Sequence, residues 1–223
     1  MALTPTPPTA GSVTLERPVA IPIPTTLVLN GHYTAKESAP AKDTPSQLSP
    51  TSHRVALFGL LGMRLLVGFY FLWAFVDKTF GLGYHTSAAH AWLNGGSPTT
   101  GFLSGANVGP FQGIFQGLAG NAAVDWLFML GLLGVGAALV LGVALRPAAV
   151  AGSAMLLLMY LASWPFATIA GGQPTGSTNP LVDDHIIDTT AIIIVAAFAA
   201  WSMGTLSRRW AALGFVKSHS WLR

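Results

Sequence analysis

Four apolar runs, each 22 or 23 residues long, follow one another after residue 50: Val55 to Val76, Val124 to Leu145, Ala148 to Ala170, and Asp184 to Thr205. A helix rising 1.5 Å per residue crosses a hydrocarbon core of about 30 Å in some 20 residues. Within lipid a helix also satisfies its own backbone hydrogen bonds, which an isolated strand or loop does not. Charge is scarce around these runs, at 9% of the chain against 52% hydrophobic, where a soluble domain carries roughly a quarter charged residues. The expected fold is an all-α membrane protein, a four-transmembrane-helix bundle in contact with the lipid bilayer.

Orientation follows from where the cations fall. Lys36, Lys42 and Arg54 precede the first run, Arg146 lies between the second and third, and Arg208, Arg209, Lys217 and Arg223 follow the fourth. Basic loops face the cytoplasm, so both termini are expected there. The opposite side carries Asp77, Asp125, Asp183 and Asp184 with Lys78 as their basic neighbour. Trp73, Tyr84, Trp92, Trp126, Tyr160 and Trp164 fit an outer aromatic belt, and Trp201, Trp210 and Trp221 an inner one. The turn at Leu145-Arg146-Pro147 is short enough to make the second and third helices antiparallel neighbours. Gly134, Ala138 and Gly142, at four-residue spacing, predict a small-residue packing stripe.

The segments outside the runs read differently. Residues 1–50 hold nine of the fifteen prolines, a composition that predicts a disordered tail or an arm that orders on a partner. No signal peptide opens the chain, so the first membrane helix is expected to act as its own insertion signal. The membrane domain then covers residues 51–207, and residues 208–223 form a basic cytoplasmic tail. Within the long outer loop, residues 79–123, Phe111, Ile114, Phe115 and Leu118 recur at helical spacing behind Pro110, which predicts a short interfacial helix. A second is expected around Ser87 to Leu93.

Several functions are excluded or narrowed. The net charge of +3 is scattered in ones and twos, which is no footprint for nucleic acid. The chain has no cysteine, so it holds no disulfide, no cysteine-ligated metal or iron-sulfur cluster and no covalent haem. Redox chemistry here requires a bound cofactor or substrate.

Two groups of residues can carry chemistry. Arg64 lies near the middle of the first run, where a charge needs a partner or a wet cavity. Gly68, Phe71, Phe75 and Lys78 share its face, whereas Trp73 and Asp77 point elsewhere. Before the fourth run stands Asn179-Pro180-Leu181-Val182-Asp183-Asp184-His185-Ile186-Ile187-Asp188. Asp183 suits a helix cap, but Asp188 lies over a turn further in, on one face with Asp184, Ala191, Val195, Ala199 and Ser202. Arg64 and Asp188 are opposite in sign and both inside apolar runs, which predicts a structural ion pair or a site that uses both charges. Asp188 can relay protons, and His185 can orient a carboxylate or exchange a proton with a substrate. His185, His85 and His90 match no compact metal-ligand spacing, so no metal is expected. Tyr160 and Trp164, one turn apart, are candidates for an aromatic ring pocket or for interfacial anchors.

These segments resemble the DoxX/DoxD family of small four-helix bacterial membrane proteins. The resemblance rests on Arg64-x-x-x-Gly68-x-x-Phe71-Leu72 leading to Lys78, on Asn179-Pro180-x-x-Asp183-Asp184-His185, and on Arg208-Arg209-Trp210. It covers roughly Leu57 to Trp210. It implies a multi-pass protein of the bacterial inner (plasma) membrane and, as activity, a thiosulfate:quinone oxidoreductase-like subunit working with another membrane or redox protein. A non-catalytic accessory subunit of a respiratory or other membrane complex is the alternative. With quinone as substrate, Arg64, Asp184, His185 and Asp188 are the expected catalytic residues, and Lys78, Tyr160 and Trp164 the expected quinone-binding ones.

Overall fold

The computed structural model describes residues 49–199 and 204–222. Of the expected tail over residues 1–50, residues 1–48 lie outside the described residues, as do Trp201, Ser202 and Arg223, while Ser49 and Pro50 belong to the start of the first helix.

The first helix, α1 (Pro50–Phe80), begins five residues before the apolar run and ends four after it. Its caps, not its hydropathy, set those limits. Ser49 Oγ accepts from the Ser52 amide at 3.2 Å, and Pro50 opens the helix where its missing N–H costs nothing. At the other end Gly81 turns left-handed at φ 65° and its amide returns to Asp77 O at 2.8 Å. Two further long helices follow, α4 (Ala122–Leu141), capped by Asn121, and α5 (Leu145–Ser163). Short elements between α1 and α4, namely α2 (Thr100–Ser104) and α3 (Gln112–Leu118), lie in the loop. Helices α1, α4 and α5 are each long and apolar enough to cross a membrane.

Three boundaries differ from expectation. The break between the second and third runs falls at Gly142, φ 70°, and Ala144, φ 49°; Leu145, Arg146 and Pro147 form the first turn of α5, where a proline needs no amide partner. Helix α5 stops at Ser163, short of Ala170, because Pro165 denies its predecessor the helical region and Trp164 turns left-handed at φ 38°. The residues beyond make a hairpin of β1 (Ile169–Ala170) and β2 (Gln173–Pro174). Its two-residue turn is Gly171-Gly172 with φ 54° and 79°, the mirror-image geometry that hairpins favour. Helix α6 (Asp184–Ala197) has 14 residues, shorter than the expected fourth span; residues 200–203 are outside the described residues. Past them, α7 (Thr205–Ala212) and α8 (Gly214–Ser218) fold the basic tail.

α1 packs on α4, α4 on α5, α5 on α6, and α6 closes back on α1. Val67, Phe71, Met129, Leu132, Val135, Leu139, Leu156, Ile192 and Val195 fill the middle. Close approach depends on glycines, among them Gly68 against Leu139 and Val140, Gly136 against the Leu72 backbone, and Gly152 against Val135 and Ile192. Gly134, expected in that role, has nothing within 4 Å of a Cβ built on it. Two residues is 200° of helix rotation, so Gly134 faces away from Gly136 and α1. With Ala138, Pro147 and Ala151 it lines an apolar groove of about 230 Å³ between α4 and α5.

We call the end where α1 finishes and α4 begins the upper end. The loop there follows the expected α3, replaces the second predicted helix by two 3-10 turns, Ala88–His90 and Trp92–Asn94, and adds α2, whose Ser-, Thr- and Gly-rich sequence carries no periodicity. Leu103, Ala106, Phe115 and Ala162 pack it down.

Candidate functional site

Two of the upper-end acids have structural work. Asp77, 1% exposed, accepts backbone amides from His85 at 3.0 Å and Thr86 at 2.9 Å, with Tyr84 at 3.4 Å. Asp125, 6% exposed, accepts from the Thr99 hydroxyl at 2.6 Å, the Thr99 amide at 3.1 Å and Ser97 Oγ at 2.9 Å. Each carboxylate replaces, for a run of loop donors, the water they lose on burial. Sequence reading took both as topology signals only.

The remaining acids gather at the start of α6. Asn179 Oδ1 accepts from the Leu181 and Val182 amides at 2.9 and 3.0 Å, an Asx turn that swings the chain into the helix. Asp183 is the N-cap, with Oδ1 accepting from the Ile186 amide at 3.1 Å. Its Oδ2 lies 2.8 Å from His185 Nδ1, while Asp184 Oδ1 lies 3.4 Å from the same nitrogen. The His185 side chain is 13% exposed and that of Asp184 is 72% exposed. A carboxylate at Nδ1 selects the tautomer that leaves Nε2 as a proton acceptor. Asp188 follows one turn later, half-buried between α6 and its neighbours.

Two tyrosines frame this cluster. The buried Tyr160 hydroxyl donates to Leu181 O at 3.3 Å, just before Asp184. Tyr70 of α1, 52% exposed on the apolar surface, lies within electrostatic range of both Asp184 and Asp188. Tyr70 was not anticipated. Its signal in the sequence is a hydroxyl set in an otherwise apolar stretch, but only the α1–α6 contact says which acids it meets.

The other expected site residues are elsewhere. Arg64, 7% exposed, does not meet Asp188: a Cβ on Gly142, at the lower end of α4, would meet Arg64 Nη1 and lie 2.5 Å from Ser207 Oγ. The expected Arg64–Asp188 pair fails because α1 brings its mid-run arginine level with the foot of α4, whereas Asp188 belongs to the upper half of α6. Lys78 faces α4, with Nζ 5.9 Å from the Phe128 ring centroid, a cation-π distance. Trp164 rests on the loop; a Cβ at Gly109 would fall 2.6 Å from its Cγ. It therefore clamps the loop, whereas Tyr160 stays with the cluster. The His90 ring meets Ser87 Oγ at 2.9 Å.

Among the described residues, the group able to offer a cation three ligand atoms close together is Asp183, Asp184 and His185, with those atoms within 4.8 Å of one another. The arrangement is suited to proton transfer: a histidine held by one carboxylate, a second carboxylate one turn away, and a phenol at the lipid edge. No family model, curated protein or solved structure matches the chain.

Proposed function

We propose that this chain is a quinone-linked redox subunit of a bacterial plasma membrane, crossing it four times with both termini in the cytoplasm. The fourth crossing begins with α6. Division of charge supports the orientation. Among the described residues, Asp77, Asp125, Asp183, Asp184 and Asp188 stand in the upper half with Lys78, while Arg54, Arg64, Arg146, Arg208, Arg209 and Lys217 stand in the lower half. Basic ends stay inside, so the upper end is the outer one.

The observation that supports the redox reading is the Asp183–His185 pair at 2.8 Å, with Asp188 one turn further along α6 and Tyr70 of the neighbouring α1 exposed on the apolar surface. A quinone taking two electrons takes two protons as well. His185, oriented by Asp183, and Asp188 are the groups that exchange them. Tyr70 and Tyr160 flank a ring held there. Electrons come from a donor outside this chain, thiosulfate or another reductant, delivered with a partner subunit. Arg64 has no part in this chemistry; its place is at the opposite end. The resemblance of these segments to the DoxX/DoxD family points to the same activity.

The test is donor-dependent reduction of a short-chain quinone analogue by membranes containing the protein. We expect Asp188→Asn or His185→Gln to lower that rate about a hundredfold, as loss of a positioned proton-transfer group does, and Tyr70→Phe to lower it less. Absence of any donor-dependent rate in the wild type sinks the redox reading and leaves the accessory-subunit alternative. That alternative has an observation of its own. Asp77 and Asp125 are fully used in holding the loop, and Asp183 caps a helix as well as binding His185.

A further inference from the structure

The tail after α6 is a folded element at the lower end of the bundle. Ser207 of α7 sits against the Gly142 cap of α4. Arg146 Nη1, in the first turn of α5, donates to Ser220 O at 2.9 Å, and Trp210 Nε1 donates to Leu222 O at 2.8 Å. Val216 of α8 is 1% exposed. Helices α4 and α5, about 30 Å long each, match the hydrocarbon thickness. A segment pinned to their ends lies at the depth of the headgroups.

The exposed surface of this segment is both apolar and cationic. Leu206, Leu213, Phe215 and Trp221 are exposed, and so are Arg208, Arg209 and Lys217. No Asp or Glu occurs anywhere from Thr189 to Arg223. Large apolar side chains mixed with cations, on short helices held at headgroup depth, fit an anionic lipid surface, where the former enter the acyl boundary and the latter meet phosphates.

We propose that α7 and α8 form an in-plane platform that binds anionic phospholipid and so fixes the lower end of α4 and α5 against the leaflet. Occupancy is electrostatic in selectivity and hydrophobic in depth. Arg146 and Trp210 preorganise the platform, so the ordering entropy is spent in folding and not on the lipid.

The absence of native cysteine permits a clean test. Full-length Phe215→Cys protein, labelled with a polarity-sensitive fluorophore, is placed in nanodiscs of phosphatidylcholine alone or with one quarter phosphatidylglycerol, part of the lipid being brominated. The label is expected to be quenched by brominated chains in the anionic discs and largely released by high salt. Arg208→Gln and Arg209→Gln should each shift the bound-to-free ratio toward release by roughly fivefold. Equal quenching in the two lipid compositions, or quenching indifferent to salt, overturns the proposal. The salt titration needs no substitution in the platform's charged face, so it decides the matter even where an arginine variant folds poorly.

Discussion

Glycines 134 and 136 show how narrowly a single position is defined in this bundle. A Cβ at Gly136 would lie 2.8 Å from the Leu72 backbone nitrogen and 3.0 Å from Gly68 O, and backbone cannot rotate out of the way. Gly136→Ala is expected to lower stability by about 1–3 kcal/mol, as overpacking does. Gly134→Ala, facing open space, should be neutral or gain up to about 1 kcal/mol from helix propensity. Thermal unfolding in one detergent compares the two directly. Asp125→Ala strands the Thr99 amide and hydroxyl beneath the loop and should cost about 1–3 kcal/mol, with hydrogen exchange rising over Ser97 to Ser104 before any effect on α5. The sequence points to Gly134, Asp125 and Arg64 but puts Gly134 at a packed contact, gives Asp125 no partner and pairs Arg64 with Asp188. Which face a residue occupies is periodic and legible; which neighbour stands opposite depends on the vertical register between helices, and nothing local encodes that.

Helix existence was the most legible property, because twenty apolar residues have few other fates in lipid. Ends were less so. Hydropathy is blind to Ser49, Asn121 and Gly142, whose caps decide where α1 and α4 begin and stop, and it runs straight through Trp164-Pro165, where α5 ends. The hairpin beyond is hidden because Ile169 and Ala170 read as the end of the third apolar run until Pro165 is given its full weight. That hairpin ties the top of α5 to the approach to α6, through Thr175 Oγ1 to Ala167 O at 2.6 Å and Ser177 Oγ to Pro165 O at 2.5 Å. Replacing Gly171 and Gly172 by alanine forces two side chains into left-handed backbone, at about 1–2 kcal/mol each. If the α6 cluster is the redox site, the double variant should retain its helices by circular dichroism yet lose quinone-analogue turnover severalfold; full turnover would show that the hairpin does not position the cluster.

At the scale of the whole molecule, the proposed four-crossing topology decides which side of the membrane each end faces. Single cysteines at Ala89 and Ala212, both exposed and at opposite ends, test it with an impermeant maleimide. Ala89→Cys should react in intact cells and Ala212→Cys only after permeabilisation; labelling of both from one side would rule out the topology. The separated charges have a kinetic consequence. Five carboxylates against one ammonium at the upper end make that mouth an electrostatic filter, open to neutral rings and protons and resistant to anions. On the proposed redox role, an anionic reductant such as thiosulfate approaching Asp184 would climb a potential that salt flattens over a Debye length of about 8 Å at physiological ionic strength. Its turnover should therefore rise with added salt, whereas that of an uncharged donor should stay level, and the slope of the first against the second measures how much of the barrier to reaction is the approach itself.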